Sequence, residues 1–302
     1  MTDASLPAGY DLLARQEADF WGSVKPDPEN PQLWDDPLLF DLFLRPGWEI
    51  LISQAEAAGS RVIDLACGEG NLSLALAERG MSVRGYDISA ARISRAREKA
   101  AARSCTITPE FIVADLNTAE LPPASADVVV AHDALHHLLA LDHVVGQIHS
   151  ALVPGGRLIV YDYIGMKPIR KFLALLFYAI LPTYKPYRAK TGLYRRLGWY
   201  FATEKRRRKR MEKAGKERKP GGDSPFEEIS GRSILPAIEL RFRVELMTEY
   251  HGFFYYLAPK LRLPARWRTK ILRYFALWDR HLVEDGICRG AYFYLIARKE
   301  SA

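Results

Sequence analysis

The stretch Val62-Ile63-Asp64-Leu65-Ala66-Cys67-Gly68-Glu69-Gly70 decides how the rest of the chain reads. A short apolar run, Arg61–Ala66, ends in two glycines one residue apart, and a helix-like pattern follows to Arg79. A strand that turns tightly into a helix opens a βαβ unit. At Gly68 and Gly70 the backbone can pass close beneath a ligand, where a Cβ would collide. Outward from this point the alternation continues. Ser82–Asp87 reads as a strand and Ser89–Ala102 as a helix with Ser89 at its N-cap. Phe111–Asp115 is a third strand, and Asp127–Ala131, nearly all valine, is a fourth that expects burial on both faces. A helix from about Ala140 to Leu152 is stopped by Pro154-Gly155-Gly156, and Arg157–Tyr161 is a fifth strand.

Strands alternating with helices predict the α/β class: a Rossmann-like, doubly wound, mostly parallel seven-stranded sheet. The rhythm breaks over 164–238, which holds helix-like pieces and no good strand. It resumes with Phe242–Met247, a helix from about Arg266 to Glu284 and the β-rich run Ala291–Ala297. The break predicts a helical insertion between strands five and six, over the carboxyl ends of the strands, where open α/β sheets bind ligands. The chain thus reads as one domain over 1–302. Residues 1–60 form an N-terminal helical cap, 61–163 the ligand-binding half, 164–238 the insertion or lid, and 239–302 the C-terminal strands and helix.

Composition narrows the class. With 302 residues, 48% hydrophobic and 26% charged, the chain can bury a sizeable core, which excludes wholesale disorder. Cys67, Cys105 and Cys288 are too few and too scattered for a disulfide framework or a zinc site. The start of the chain carries no basic region followed by an apolar run. The longest strongly apolar stretch, Phe172 to Leu181, falls short of the ~20 residues of a spanning helix. The expectation is a reduced, cytoplasmic protein without a metal. The net charge of +7 is local: 167–219 holds 18 lysines and arginines against three acids, while the rest holds 25 against 33. An acidic body carries one basic segment.

Three acids close three successive strands beside the glycine turn. Asp87 lies 19 residues after Gly68, where a carboxylate can accept both hydrogen bonds of a ribose cis-diol. Asp115 stands where a carboxylate could accept from an exocyclic amine. Asp64, at the end of strand one, suits a ligand with a cationic amino group and not a pyrophosphate. Ser73 also replaces the third small residue of the dinucleotide fingerprint, so NAD is disfavoured.

These motifs, with Ala134-Leu-His-His-Leu138 after strand four and Leu152-Val-Pro-Gly-Gly156 before strand five, resemble the class I S-adenosylmethionine-dependent methyltransferases. The resemblance covers 61–163 by motif and 240–299 by topology, with Ala66 at the first position of the glycine-rich motif. It implies S-adenosylmethionine as cofactor. Asp64, Ala66 and the Gly68–Gly70 backbone would hold its methionine end, Asp87 with Ile88 the ribose, and Asp115 with Leu116 the adenine. His132 would line the sulfonium pocket.

Such a cofactor brings its own leaving group, so the protein must align an acceptor and remove its proton. His136 and His137 sit just after strand four, and imidazole is the usual general base near neutrality. Either is the candidate base, and Asp162, ending strand five, is the candidate partner. The pair with a later aspartate resembles the small-molecule branch, including sugar O-methyltransferases. Quinone C-methyltransferases share the Leu-His-His-Leu pattern, so O- and C-methylation both stay open. The acceptor is a small molecule, a glycan or a lipid-linked compound. Three readings of the basic, aromatic-rich 167–219 compete: a lid with solvated charges, a lid that meets an anionic membrane surface, and a nucleic-acid surface. An RNA methyltransferase is a further alternative, and a non-catalytic cofactor-binding or membrane-tethered module is the rival of another class.

Overall fold

A computed structural model describes residues 6–24, 32–103, 105–166, 168–190, 224–226, 229–231 and 233–300. Its centre is a seven-stranded sheet in the order β3-β2-β1-β4-β5-β7-β6. The strands are β1 (Arg61–Leu65), β2 (Ser82–Asp87), β3 (Glu110–Val113), β4 (Ala126–His132), β5 (Leu152–Tyr163), β6 (Arg243–Tyr250) and β7 (Tyr292–Arg298). β1 to β5 pair in parallel, and β7 enters antiparallel between β5 and β6. Strand two starts beside strand one (Arg61 opposite Ser82), and Val62 stands opposite Val128 on the other side.

The valines of β4 explain its central place. Val128 and Val130 pack under α3 (Arg45–Ala58) and α4 (Asn71–Glu78), with Leu51, Leu72 and Leu76. Val129 and Ala131 face the opposite layer, with Val144, Val145 and Ile148 of α6 (Leu141–Ala151) and Ile234 and Ile238 of α9 (Ile234–Glu239). Both faces are apolar because both are covered by helices. A flanking helix, α5 (Ala90–Ala101), crosses from β2 to β3, buries Ile93 and Ala96 against Leu74 and Phe111, and ends near the loop before β3.

Two sequence expectations need correction. Ser89 does occupy the N-cap of α5, but its side chain makes no capping hydrogen bond; the Asp87 carboxylate takes its backbone N–H instead. Pro154-Gly155-Gly156 is not a turn ahead of strand five. It lies inside β5 as an irregularity, where the register against β4 jumps between Ala126 and Val128. Glycine at 155 takes a left-handed φ of 79° there.

The C-terminal edge of the sheet carries every long excursion. After β5 comes α7 (Pro168–Ile180) and a short α8 (Tyr187–Lys190). After β6 come α10 (Phe254–Leu257) and the long α11 (Ala265–Glu284) before β7 returns. The N-terminal cap is α1 (Tyr10–Ser23), the short α2 (Pro37–Leu39) started by an Asp36 cap, and α3. Expectations for 191–223 fall outside the described residues.

The glycine turn tests this packing. Gly70 has φ 75°, and a Cβ there would meet the Phe111 ring at 2.6 Å and the Ala96 methyl at 3.1 Å. Gly80 has φ 83° and no atom within 4 Å of such a Cβ. Gly70→Ala should therefore cost about 2–4 kcal/mol of unfolding free energy, and Gly80→Ala only about 1 kcal/mol, from strain alone. Urea denaturation of the two variants measures the difference.

Candidate active site

The turn between β1 and α4 is wired to the end of β2. Ala66 (φ 52°), Gly68 (φ 57°) and Gly70 (φ 75°) all adopt left-handed backbone. The Cys67 N–H donates to the Tyr86 carbonyl at 2.9 Å, and the Gly68 N–H donates to Asp87 Oδ2 at 2.9 Å. Asp87 Oδ1 accepts the Ser89 N–H at 2.8 Å. One carboxylate thus holds the glycine turn and the start of α5 together, and burial raises its pKa. Half-buried Ile88 follows it.

Asp64 is 1% exposed and accepts the Ser73 hydroxyl at 2.6 Å. Burial pushes its pKa up to about 7, against the opposing Ser73 hydrogen bond and with help from Asp87. Ser73, the residue that breaks the dinucleotide fingerprint, is therefore the group that orients this acid.

Asp115, after β3, accepts the Asn117 N–H and side-chain amide on Oδ1 and the Tyr10 hydroxyl on Oδ2 at 2.5 Å. Burial, then Asp115, raises the Tyr10 pKa. Leu116 is buried in the core behind it. Helix α1 thus lies across the edge of the sheet. Its Trp21 stacks under the Arg92 guanidinium of α5, 4.8 Å from the ring centroid.

The histidines separate into distinct environments. His136 Nδ1 lies 2.5 Å from Asp162 Oδ1, and Asp162 is fully buried. Asp162 also accepts N–H groups of Ala134 and Leu135 on Oδ2 and of Tyr163 on Oδ1. Burial pulls this acid upward, but His136 and the N–H groups of Leu135 and Tyr163 hold it below the usual carboxylate range. Asp162 ionised places the ring proton of His136 on Nδ1 and the lone pair on Nε2. His137 instead turns to α1: its Nδ1 is 3.5 Å from Glu17 Oε1, and its ring meets Trp21 edge-on. Burial opposes ionisation of Glu17, yet His137, Ser224 and Trp21 together lower its pKa.

His132 sits in an aromatic box, stacked on Tyr161 at 5.0 Å and edge-on to Trp34 and Trp48. Burial lowers its pKa. The Tyr161 hydroxyl pairs with His251 Nε2, whose other nitrogen lies 3.7 Å from Asp279, an acid that caps four successive N–H groups from Gly252 to Tyr255.

So the structure brings Asp162 to His136 and not to His137, and spreads Asp64, Asp87 and Asp115 along one edge. Sequence reading missed Glu17, Tyr10 and His251, and nothing local marks them, since each acts through a partner far along the chain. Asp133 was passed over too. It has φ 55°, a signal only in three dimensions, and a buried Oδ1 that meets no hydrogen-bond partner among the described residues. Ligand atoms of Asp133, His136 and Asp162 lie within 4.8 Å of one another, a set no sequence spacing announced. Both oxygens of Asp162 are already engaged by the donors above.

A buried acid with its pKa near 7 binds protons in the folded state that the unfolded chain releases near its ordinary value of 3.8. Stability from this group is therefore greatest below pH 4 and is lost as pH rises to about 7. Asp64→Asn, which keeps an acceptor for Ser73, should be more stable than the parent protein at pH 8. The gain has an upper bound of about 4 kcal/mol and shrinks to nothing toward pH 4. Thermal unfolding across that range, in the absence of ligand, reads it directly.

Residues 56–178 match a family model described as a methyltransferase domain. The 27-O-demethylrifamycin SV methyltransferase of Amycolatopsis mediterranei is 30% identical over 166 residues, 54% of this chain and 60% of that protein. The demethylmenaquinone methyltransferase of Thermus thermophilus is 34% identical over 110 residues, 36% of this chain and 49% of that one. The chain thus spans about half to three fifths of these relatives. Among solved structures, geranyl diphosphate C-methyltransferase from Streptomyces coelicolor A3(2) shares the fold. Its TM-score is 0.54 at 14% identity, over 97% of this chain and all of that one. Residues 56–178 thus match a methyltransferase domain, and the parallel sheet and glycine turn agree with the fold of the class I S-adenosylmethionine-dependent methyltransferases, to which the chain is similar.

Proposed function

We propose that this protein methylates a hydroxyl of a small molecule, glycan or lipid-linked compound, with His136 as the general base. The observation that carries the reading is the buried His136–Asp162 pair at the mouth of the sheet, held by three backbone N–H groups.

The residues present fit S-adenosylmethionine. Asp64 is a buried acid with its pKa near 7, so a cationic ammonium beside it would restore the ionised form. Asp87 keeps acceptor capacity after taking two N–H groups, as a ribose diol requires, with Ile88 alongside. Asp115 would receive the adenine amine and Leu116 pack against the ring. Ala66, Gly68 and Gly70, all with left-handed φ, would bring the backbone of the turn close to the cofactor's methionine end. His132 and its aromatic box would face the sulfonium.

When bound, the cofactor supplies a methyl group activated by its sulfonium leaving group. The chain does the rest. His136 Nε2 takes the proton of the acceptor hydroxyl as the new O–C bond forms. Asp162 holds the ring and stabilises the imidazolium that results. Glu17 and His137, on the cap side, orient α1 over the site and help exclude water. The rifamycin relative carries an O-methyl target in its name and supports this reading. Carbon methylation of a quinone is the second reading, supported by the demethylmenaquinone relative.

Calorimetry with S-adenosylmethionine and a turnover assay separate the roles. Asp87→Ala should weaken cofactor binding at least tenfold. His136→Ala should bind cofactor normally and lose about 100-fold or more in kcat, whereas His137→Ala should lose less. Unchanged binding in Asp87→Ala rejects the site, and full turnover in His136→Ala rejects the base.

A further inference from the structure

Helix α7 is amphipathic the wrong way round for a helix packed on a protein. Its inward side carries Arg170, Ala174 and Tyr178, and the buried Arg170 guanidinium donates to the carbonyls of Gly252 (3.0 Å) and Gly290 (3.4 Å). Its outward side carries Phe172, Leu173, Leu176, Phe177 and Ile180, all exposed, with Ile180 at 65%. Their spacing is that of one helical face.

Helix α11 repeats the pattern with charge. Leu272 and Asp279 face the body. Trp267, Tyr274 and Trp278 recur along one exposed flank, at seven- and four-residue spacing, and Trp278 is 56% exposed. Arg266, Arg273 and Arg280 recur every seven residues along the other flank, also exposed, with Lys270 and Leu277 between the two. No acid occurs from His251 to Trp278, nor from Ile164 to Thr203.

The segments that follow α7 and precede α11 meet. Thr183 and Leu261 form a β-bridge, Tyr184 donates its N–H to the Lys260 carbonyl and Arg262 to that of Pro182. Phe177 packs edge-on against Phe253. The end of α7 therefore lies beside the segment that leads into α11.

We propose that this joint α7–α11 face docks the protein on an anionic phospholipid bilayer. Aliphatic and aromatic side chains enter the headgroup boundary while the arginine flank and Lys270 meet lipid phosphates. No described helix is long and apolar enough to cross a membrane, so the helices lie in the plane of the surface. Charge selects this occupant over a second copy. Arg266, Arg273, Arg280 and Lys270 face out there against one acid, Glu284 at the end of α11, so a two-fold contact would set a net cationic flank against itself. Leu173, Leu176, Ile180 and Leu277 select it over nucleic acid, since aliphatic side chains gain nothing from phosphates and stack poorly on bases. Docking is independent of which acceptor atom is methylated. Because α7 departs from the end of β5 that carries Asp162, it holds the candidate site beside the lipid.

Co-sedimentation of the full chain with phosphatidylcholine vesicles, with and without phosphatidylglycerol, tests this. The protein should sediment with anionic vesicles at low salt, be released as salt rises and ignore neutral vesicles. Because 188–219 is basic as well, variants on α11 decide the surface. Arg266→Glu/Arg273→Glu should lower partitioning about tenfold or more. Trp267→Ala/Trp278→Ala should weaken it and reduce the vesicle-induced blue shift of tryptophan fluorescence. All four positions are exposed, and unchanged circular dichroism and Tm report intact folding. Failure to sediment with anionic vesicles overturns the proposal, as does sedimentation that neither variant alters. Selective binding of single-stranded RNA in place of vesicles, or a lipid-free dimer that the same variants abolish, also overturns it.

Discussion

The arrangement of the site depends on one carboxylate without solvent. Asp162 accepts N–H groups from Ala134, Leu135 and Tyr163 and pairs with His136 Nδ1. An unpaired charge at that depth would be prohibitive, so its four donors hold the end of β5 and the turn after β4 in one geometry. The turn then anchors later chain: the His136 carbonyl accepts N–H groups of Ile229 and Ser230, and the Ser230 hydroxyl donates to the Leu135 carbonyl. Orientation of the proposed base and seating of the segment before α9 are one constraint.

The cap is bound to the sheet edge by the same economy of charged groups. Tyr10 reaches Asp115, Glu17 reaches His137 and Ser224, and Trp21 reaches Arg92. Each contact joins α1 to a residue at the carboxyl end of a strand or to the segment beyond it. Opening of α1 would therefore release its contacts with Asp115 and His137 together. On the far side, the Tyr161–His251–Asp279 chain ties β5 to α11, so the body and the outer helix share one buried polar network.

Charge is segregated. The edge that reads as the cofactor groove is acidic, with Asp64, Asp87 and Asp115 in sequence along it. The outer helices after β5 and β6 are cationic and aromatic. That division follows the strand order, because β1, β2 and β3 lie on one side of β4, while the chain leaves β5 at Tyr163 and β6 at Tyr250 and re-enters β7 at Tyr292 on the other.

Much of this was legible in the sequence wherever the physical requirement is local. The glycine turn, the valine strand buried on both faces and the acids that end strands are each demanded by backbone conformation or strand periodicity within a few residues. Ser89 shows the limit even there: its position is a cap, but Asp87 provides the hydrogen bond. Sequence by itself determined the alternating sheet, its order of carboxylates and the basic, aromatic character of the excursions. Only tertiary structure decided that Asp162 serves His136 and that Glu17 serves His137. It alone decided that α7 turns its apolar face outward beside α11. These pairings join residues far apart in the chain, and their energy comes from burial that exists only once the layers have packed.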